Sequence, residues 1–284
     1  MTGKLIDPKN TIALIKDRGF SFKKKFGQNF LIDERVLTKI INGAEITGSD
    51  EVLEIGPGIG TLTQALCEAA GRVRAVEIDR ELIPILQETL SAYDNVDIIN
   101  ADVLELDLKE LFSGPFKVVA NLPYYITTPI VMKLLESDAP VESVTVMVQK
   151  EVAERMQAAP GSKDYGALSL AVAYHAEAEV VANVPPNCFI PRPDVSSAVI
   201  RLKKRPEPPV RPSDKDFMFR LIKAAFAQRR KTLQNALSND ASLGLSKEAV
   251  ETALRDLGLD VRIRGERLSL SDFAELSDRL ETRI

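Results

Sequence analysis

Short hydrophobic runs alternate with longer amphipathic stretches through the first half of the chain. The runs predict strands at residues 51–55, 73–78, 96–100, 116–120 and 144–148. The stretches between them predict helices at residues 61–70, at 80–90 with Asp79 as the capping residue, and at 129–136. Strands that alternate with helices are typical of a parallel α/β sheet with helices on both faces, so we predict that fold class here.

The pattern changes twice toward the C-terminus. Residues 178–184 and 196–202 are β-rich and have a proline-rich loop between them instead of a helix, which predicts an antiparallel pair at the sheet edge. A proline-rich segment at 205–209 then marks a boundary. Beyond it, helical patterns cover 217–237, 247–257 and 270–280, and β-rich runs are absent. We therefore predict an α/β domain over residues 1–205 and a small all-α domain over residues 206–284.

The composition is that of an ordinary globular protein, with 45% hydrophobic and 27% charged residues among 284. The chain has two cysteines, Cys67 and Cys188, and one histidine, so neither a disulfide framework nor a metal site is expected. No apolar run approaches the roughly 20 residues that span a bilayer, and residues 1–10 lack the apolar segment of a signal peptide. The expected location is the cytoplasm, with no membrane partner.

The formal net charge of −4 does not suggest a nucleic-acid partner, but the basic residues are clustered. Basic runs lie at residues 23–25, 201–205 and 220–231, the last on a predicted helix. Each run alone is explained by a solvated face, whereas the three together suggest an RNA-binding surface. The residues that we assign to this surface are Lys23, Lys24, Lys25, Arg229, Arg230 and Lys231.

Residues 54–60 read Glu-Ile-Gly-Pro-Gly-Ile-Gly and join a predicted strand to a predicted helix. Glycines at such a turn let the backbone approach a bound ligand closely. The alternative is a dinucleotide-binding loop, but the spacing is GxGxG instead of GxGxxG, and Glu54 would repel a pyrophosphate. S-adenosylmethionine carries no phosphate and has an ammonium and a sulfonium cation, so an acid beside the loop favours that cofactor.

Two acids farther along the chain fit the same ligand. Glu77 lies at the end of the next predicted strand, 21 residues after Gly56, where a carboxylate can accept hydrogen bonds from both ribose hydroxyls. Asp79 is an alternative for this role, although it suits a helix cap better. Asp102 follows the third predicted strand, and an acid at this edge of the sheet can accept a hydrogen bond from the adenine amino group. Together with the glycine loop, these positions predict a site for S-adenosylmethionine.

Residues 121–124, Asn-Leu-Pro-Tyr, leave the fourth predicted strand at the same edge. The N6 lone pair of adenosine is delocalised, so this amino group is a weak nucleophile. The Asn121 side-chain oxygen and a backbone carbonyl, of Leu122 or Pro123, can accept its two hydrogens and favour the developing positive charge. Tyr124 can stack on a base turned out of its helix. This chemistry needs no covalent nucleophile, and neither cysteine lies near the motif, as methylation of pyrimidine carbon 5 would require.

Five segments in this order resemble the bacterial small-subunit ribosomal RNA adenine dimethyltransferases. They are 26–31 (FGQNFL), 54–60 (EIGPGIG), 121–124 (NLPY), 189–197 (FIPRPDVSS) and 225–233 (AFAQRRKTL). The resemblance implies a Rossmann-like class I methyltransferase sheet with an antiparallel edge, followed by a small C-terminal all-α domain. It also implies that residues 1–205 bind S-adenosylmethionine and carry catalysis, and that residues 206–284 bind RNA or the ribosome.

The same resemblance assigns individual residues to each site. For the cofactor S-adenosyl-L-methionine they are Gln28, Asn29, Leu31, Gly56, Gly58, Gly60, Glu77, Ile78, Asp102, Val103 and Asn121. For catalysis they are Asn121, Leu122, Pro123, Tyr124 and Phe189, and Arg192 joins the RNA-binding residues. Phe189 is implied to sandwich the target base against Tyr124, whereas from the residues alone it would be interpreted as a core aromatic. Tyr125 receives no role.

The implied substrate is a pair of adjacent adenosines near the 3′ end of 16S rRNA, each dimethylated within the immature small ribosomal subunit. A role in ribosome biogenesis and a monomeric enzyme are expected with it. Large-subunit rRNA adenine N6-methyltransferases of the antibiotic-resistance type have similar loops, although Gly27 and the basic run at 229–231 favour the small-subunit branch. A mainly non-catalytic ribosome-assembly factor is another alternative. A nicotinamide-dependent dehydrogenase is disfavoured by the loop spacing and by Glu54.

Overall fold

The computed structural model describes residues 4–18 and 27–281. Within them the strands are β1 (Phe30–Leu31), β2 (Glu51–Ile55), β3 (Arg72–Glu77), β4 (Val96–Asn100), β5 (Phe116–Asn121), β6 (Val141–Gln149), β7 (Ala176–Val184), β8 (Phe189–Ile190) and β9 (Ser197–Lys204). The helices are α1 (Pro8–Asp17), α2 (Glu34–Gly43), α3 (Thr61–Ala69), α4 (Ile83–Thr89), α5 (Leu108–Leu111), α6 (Thr127–Glu136), α7 (Lys150–Met156), α8 (Ala167–His175), α9 (Lys215–Ala227), α10 (Leu233–Ser238), α11 (Lys247–Asp256) and α12 (Leu270–Glu281). The predicted RNA-binding residues Lys23, Lys24 and Lys25, and Phe26 of the first motif, lie outside the described residues.

Seven of the described strands form one sheet in the order β4-β3-β2-β5-β6-β9-β7. β2 to β6 pair in parallel, and β9 runs antiparallel to β6. The chain therefore builds outward from β2 to β4 and then returns to the other side of β2 with β5. At such a switch point the loops after neighbouring strands diverge and leave a crevice at the carboxyl ends, where ligands bind in sheets of this kind.

This sheet confirms the predicted α/β fold with an antiparallel edge. All five strands predicted between residues 51 and 148 are present, and the two β-rich runs beyond them are β7 and β9, which are neighbours at the edge. The helix predicted from residue 80 starts later, at Ile83. Asp79 does not cap this helix; its carboxylate accepts a hydrogen bond from the backbone N–H of Glu81 (3.2 Å) in the turn before it.

A second, two-stranded sheet was not predicted. β1 and β8 pair antiparallel, with Phe30 opposite Ile190 and Leu31 opposite Phe189. Each strand has only two residues, so no alternating pattern marks them in the sequence. The pairing brings the end of the 26–31 motif and the start of the 189–197 motif together, although about 160 residues separate them along the chain.

The chain folds into two compact units. The first contains Met1–Ala153 and Glu177–Lys204, and the second contains Glu154–Ala176 and Arg205–Ile284. The second unit begins again at Arg205, close to the predicted boundary, but Glu154–Ala176 lies in the second unit where the prediction placed it in the first. The physical reason is that α8 and the loop before it bury Tyr165, Leu170 and Tyr174 in the core of the second unit.

The second unit is helical, but the helix predicted over residues 217–237 is two helices. α9 ends at Ala227, and α10 begins after Thr232, whose hydroxyl accepts a hydrogen bond from the N–H of Asn235 as an N-cap. The basic residues 229–231 therefore lie in a turn between helices and not on a helix. None of the helices in the described residues combines the length and the apolar character needed to cross a membrane.

Candidate active site

A cavity in the first unit lies at the carboxyl ends of β2, β3, β4 and β5, at the switch point of the sheet. With the open space at its mouth it measures about 1120 Å³, enough for a nucleoside cofactor and part of a second ligand. The predicted site residues that line it are Gln28, Asn29, Leu31, Gly56, Gly58, Glu77, Ile78, Asp102, Val103, Asn121, Leu122, Pro123 and Tyr124. The two others, Gly60 and Phe189, do not line it.

The glycine loop forms the floor between β2 and α3. Gly56 and Gly58 have φ angles of +69° and +64°, in the left-handed region that side chains disfavour. A Cβ on Gly58 would come within 2.9 Å of the Phe30 ring, so the loop also needs glycine for close packing against β1. Gly60 is the residue before α3, and a Cβ there would face Thr89 at 3.0 Å and not the cavity. Gly60 thus shapes the turn without lining the site.

Glu77, at the end of β3, is buried and held by two backbone groups. Its carboxylate accepts hydrogen bonds from the N–H of Gly58 (3.2 Å) and the N–H of Asp79 (2.8 Å). Burial raises the pKa of Glu77, and these two N–H groups oppose that rise. Glu77 is therefore tied to the glycine loop, and its carboxylate is fixed in the cavity wall.

The loop after β4 carries Asp102 into the same wall. Asp102 accepts a hydrogen bond from the N–H of Leu104 (2.9 Å) with one carboxylate oxygen. Lys133 on α6 donates to the carbonyl oxygens of Leu104 (2.6 Å) and Leu106 (2.8 Å). No sequence pattern singled out Lys133, since its partners are backbone atoms of a distant loop.

The segment before β1 reaches the catalytic motif by a direct bond. The Asn121 side-chain nitrogen Nδ2 donates to the Asn29 carbonyl oxygen (2.9 Å). The Asn29 side chain in turn donates to the Gly27 carbonyl (3.1 Å), and the Gln28 side chain donates to Asp79 (3.2 Å). These contacts orient the Asn121 amide, whose other polar atom is the acceptor Oδ1.

The rest of the motif leaves β5 in a tight turn. The Leu122 N–H continues the sheet by donating to Met147 (3.1 Å). The Pro123 carbonyl accepts from the N–H of Ile126 and from the Thr127 hydroxyl, both at 3.2 Å. The Tyr124 hydroxyl is hydrogen-bonded to Ser197 (2.7 Å), which holds the ring at the cavity wall, and burial raises its pKa.

Two aromatic residues lie where the sequence analysis did not expect them: Phe189 is in the core, and Tyr125 is at the cavity. Phe189 is 3% exposed and belongs to the core of the first unit, packed with Leu31 and Val184 among others. Tyr125, which received no role, lines the cavity and is 59% exposed. Aromatic character alone did not distinguish the buried ring from the exposed one, because burial depends on the β1–β8 pairing.

Glu54 lies in β2 just before the glycine loop, as predicted, and its side chain is buried. It is 1% exposed, it lines the cavity, and its Oε2 atom forms no hydrogen bond. Burial, helped by the negative charge of Glu77, raises the pKa of Glu54 to about 8. The acid that we expected to be a carboxylate is therefore mostly neutral at pH 7 without a ligand.

The two cysteines lack the properties of nucleophiles. Both are buried and free, and burial raises the pKa of the Cys67 thiol to about 12 and also raises that of Cys188. A thiol becomes nucleophilic when its pKa is lowered. Neither cysteine lines the cavity.

None of the predicted RNA-binding residues that the structure describes lines this cavity. Arg192 is exposed on the loop after β8, and Arg230 and Lys231 are exposed in the turn after α9. Arg229 differs, because its guanidinium donates to the Lys163 carbonyl (2.8 Å) and pairs with Glu266 (3.4 Å). Arg201, from the second basic run, is likewise paired, with Glu45 and Glu179.

The polar groups of the cavity fit S-adenosylmethionine better than a dinucleotide. Three acids, Glu54, Glu77 and Asp102, line it, and no lysine or arginine of the described chain does. A pyrophosphate would be repelled by this wall, whereas a ligand with two cations would be attracted. The described residues contain no group of three or more His, Cys, Asp or Glu that could hold a metal ion.

Comparison with known proteins agrees with this geometry. The family model described as ribosomal RNA adenine dimethylase matches residues 19–280. A Lachnoclostridium phytofermentans protein named ribosomal RNA small subunit methyltransferase A is 58% identical over 284 residues, covering 98% of each chain. The crystal structure of a dimethyladenosine transferase from Plasmodium falciparum superposes with a TM-score of 0.70 at 26% identity, over 87% of this chain and 95% of that one. The 23S rRNA methyltransferase ErmE superposes with a TM-score of 0.68 at 30% identity, over 89% and 100% of the two chains.

The fold and the site thus define an enzyme of the S-adenosylmethionine-dependent methyltransferase class, since the switch-point cavity combines the glycine loop, the strand-end acids and the Asn-Leu-Pro-Tyr motif. The chain belongs to the ribosomal RNA adenine dimethylase family. The resemblance stated from the motifs is therefore confirmed.

Proposed function

We propose that this protein dimethylates N6 of two adjacent adenosines near the 3′ end of 16S rRNA, within the immature small ribosomal subunit. Family membership supports adenine dimethylation, and the name of the 58% identical relative supports small-subunit RNA as the substrate. The observation that carries the proposal is the Asn121 amide at the cavity wall, oriented by the Asn29 carbonyl. A monomeric cytoplasmic enzyme with a role in ribosome biogenesis completes the proposal.

Asn121 supplies the first acceptor for the reacting amino group. Because its Nδ2 donates to Asn29, Oδ1 is the amide atom left to accept an N6 hydrogen. Accepting that hydrogen raises the electron density on N6 and stabilises the positive charge that develops as the nitrogen attacks. The bound S-adenosylmethionine supplies the electrophilic methyl group.

Leu122 is the better candidate for the second acceptor. The sequence left Leu122 and Pro123 as alternatives, but the Pro123 carbonyl already accepts two hydrogen bonds within the turn. The Leu122 carbonyl follows Asn121 directly at the cavity wall. Two acceptors, one on each N6 hydrogen, would hold the amino group in one orientation for transfer.

Tyr124 is proposed to stack on the flipped adenine, since its hydroxyl anchors the ring to Ser197 beside the motif. Phe189 would have to leave the core to form the other side of a sandwich, because it is 3% exposed in this structure. For the cofactor, we propose that Glu77 binds the ribose hydroxyls and that Asp102 accepts from the adenine amino group. Gln28, Asn29, Leu31, Ile78 and Val103 complete the proposed cofactor wall, since all of them line the cavity.

The test is methyl transfer from labelled S-adenosylmethionine to immature small subunits by Asn121→Ala. We expect transfer to fall by about 10²- to 10³-fold, because one of the two acceptors is lost, while cofactor affinity measured by calorimetry changes by less than about tenfold. Asn95→Ala is the matched control, since the Asn95 Nδ2 likewise donates to backbone carbonyls, those of Cys67 and Ala70, but Asn95 lies outside the cavity. Methyl transfer by the Asn121→Ala variant at the wild-type rate would show that Asn121 has no part in catalysis.

A further inference from the structure

Glu54 is a buried carboxyl group that the proposed catalytic roles do not use. It is the fourth residue of the five-residue strand β2, is 1% exposed, and lines the cavity. Its Oε2 atom has no hydrogen-bond partner, and no described residue forms an ion pair with it. A carboxylate in such a place is strongly destabilised unless a cation accompanies it.

Among the described residues, the groups around Glu54 provide no cation. In the sheet it lies opposite Ala75 of β3 and Val119 of β5. From α3, the Thr63 hydroxyl and the Cys67 thiol face it, and the remaining charged neighbour is the acid Glu77. The pKa of Glu54 is raised to about 8 by burial and by Glu77, so the ligand-free site holds this carboxyl mainly in its protonated form.

The position of Glu54 relates it to one half of the cofactor. If Glu77 and Asp102 bind the adenosine half, as proposed above, the cationic half lies toward the remaining wall, where Glu54 precedes the glycine loop. That half carries a sulfonium, which cannot lose its charge by deprotonation, and an ammonium. A positive charge brought near a buried carboxyl favours its ionised form and lowers its pKa.

We propose that Glu54 is the counter-ion of the cofactor's cationic half and releases its proton to solvent when S-adenosylmethionine binds. No covalent bond to the cofactor forms or breaks in this step; the O–H bond of the carboxyl breaks and the proton leaves to water. After methyl transfer the sulfur is a neutral thioether, so the charge that faces Glu54 decreases by one. Glu54 would thereby favour the reactant cofactor over its demethylated product. This inference rests on the proposed function, because it assumes S-adenosylmethionine as the ligand.

The test is calorimetry of S-adenosylmethionine binding at pH 7 in two buffers of different ionisation enthalpy, which gives the number of protons released. We expect the wild-type protein to release about 0.9 proton more than Glu54→Gln, the fraction protonated at one pH unit below the pKa. The variant removes only the protein's contribution, so any proton exchanged by the cofactor's own amino group, whose pKa is about 8, cancels in the difference. Equal proton release by the two proteins would overturn the proposal.

Glu77→Gln is the matched control, because Glu77 is a second buried acid in the same wall. It should weaken cofactor binding and reduce the proton release only in part, because the charge of Glu77 contributes less than burial to the raised pKa of Glu54. Release that disappears in Glu77→Gln and persists in Glu54→Gln would assign the proton to Glu77 and overturn the proposal. Circular dichroism melting of both variants checks that they fold, and proton release by wild type at pH 6, 7 and 7.5 provides a test without any substitution.

Two related ligands distinguish the two cations. 5′-Methylthioadenosine has neither cation and should bind without proton release, whereas S-adenosylhomocysteine retains only the ammonium. We expect Glu54→Gln to bind S-adenosylmethionine at least about tenfold more weakly at pH 7 and methylthioadenosine unchanged. Release of most of the proton requires the cofactor to prefer the ionised carboxyl by at least about a hundredfold, and about tenfold of this preference is offset by ionising a group whose pKa is about 8. Full proton release with methylthioadenosine would overturn the proposal. Failure of wild type to bind S-adenosylmethionine at all would instead contradict the proposed function.

Discussion

Single residues of the cavity have properties that their neighbours determine. Glu54 and Glu77 are both acids at strand ends, but Glu77 accepts two backbone N–H groups and Glu54 Oε2 accepts none. The first arrangement stabilises a charge, and the second disfavours it. From the sequence, both acids were assigned to the cofactor site for their charge. The hydrogen bonds that make their charged forms differ in stability come from the folded loop, and a linear pattern does not show them.

Glu54→Gln should therefore stabilise the ligand-free protein as the pH rises. The pKa of Glu54 is about 8 in the folded chain and 4.5 is the ordinary value, so the stability that its protonated form contributes is full below pH 4.5 and is lost as the pH rises toward 8. Relative to the variant, wild type should lose roughly 3 kcal/mol between pH 5 and pH 7.5. Urea unfolding of both proteins at these two pH values measures it. If the difference in stability between the two proteins did not change with pH, Glu54 would not be a buried carboxyl that lacks a partner for its charge.

At the scale of elements, the sheet was predictable because its strands are long enough to show their pattern. β2 and β4 were predicted with the bounds that they have, and β3 was predicted one residue late at each end. The positions of Glu77 and Asp102 followed from β3 and β4. β1 and β8 were not predictable, because two residues show no period and their pairing is non-local. The burial of Phe189 depends on that pairing, so a local sequence pattern could not predict it.

The break between α9 and α10 shows a different limit. The apolar spacing from Phe217 to Leu237 continues at a helical period, so the pattern predicts one helix. In the structure Thr232 caps a new helix, and the Leu233 N–H donates to the Ile263 carbonyl (2.7 Å) from a distant segment. A Thr that starts a helix and a Thr inside one differ little in sequence, and the tertiary hydrogen bond decided between them.

The loop after β4 depends on α6 for its position. Lys133→Met should loosen this loop, because two charge-assisted hydrogen bonds to Leu104 and Leu106 are lost. We expect a loss of about 1–3 kcal/mol in the free energy of unfolding and a cofactor affinity lowered by about tenfold, measured by urea unfolding and calorimetry. Lys109→Met is the control, since the ion pair of Lys109 within the described residues is with the exposed Asp138. Unchanged cofactor affinity in Lys133→Met would show that the loop keeps its position without this lysine.

At the scale of the whole molecule, the basic residues of the second unit separate into two kinds. Arg229 is held by Lys163 and Glu266 of its own unit, whereas Arg230 and Lys231 are exposed in the turn. The sequence showed the three as one basic run, and only the folded turn distinguishes them. The assignment of this unit to RNA or ribosome binding stays a prediction.

The double substitution Arg230→Gln and Lys231→Gln should weaken RNA binding without loss of stability. The slope of log affinity against log salt should become shallower by about 1.5, since two phosphate contacts are removed. Arg229→Gln should instead lower the free energy of unfolding by about 1 kcal/mol. Filter binding of small-subunit RNA at several salt concentrations, with urea unfolding, separates the two effects. An unchanged slope in the double variant would exclude Arg230 and Lys231 from the RNA-binding surface.

Mass mapping of ribosomal RNA after incubation with this protein and S-adenosylmethionine tests the proposed methylation most directly. Small and large subunits from cells without the corresponding modification are the two substrates. We expect two added methyl groups on each of two adjacent adenosines near the 3′ end of the small-subunit RNA, and no added mass in the large-subunit RNA. Methylation of an adenosine in the large-subunit RNA alone, as the similarity to the 23S rRNA methyltransferase ErmE would allow, would contradict this expectation.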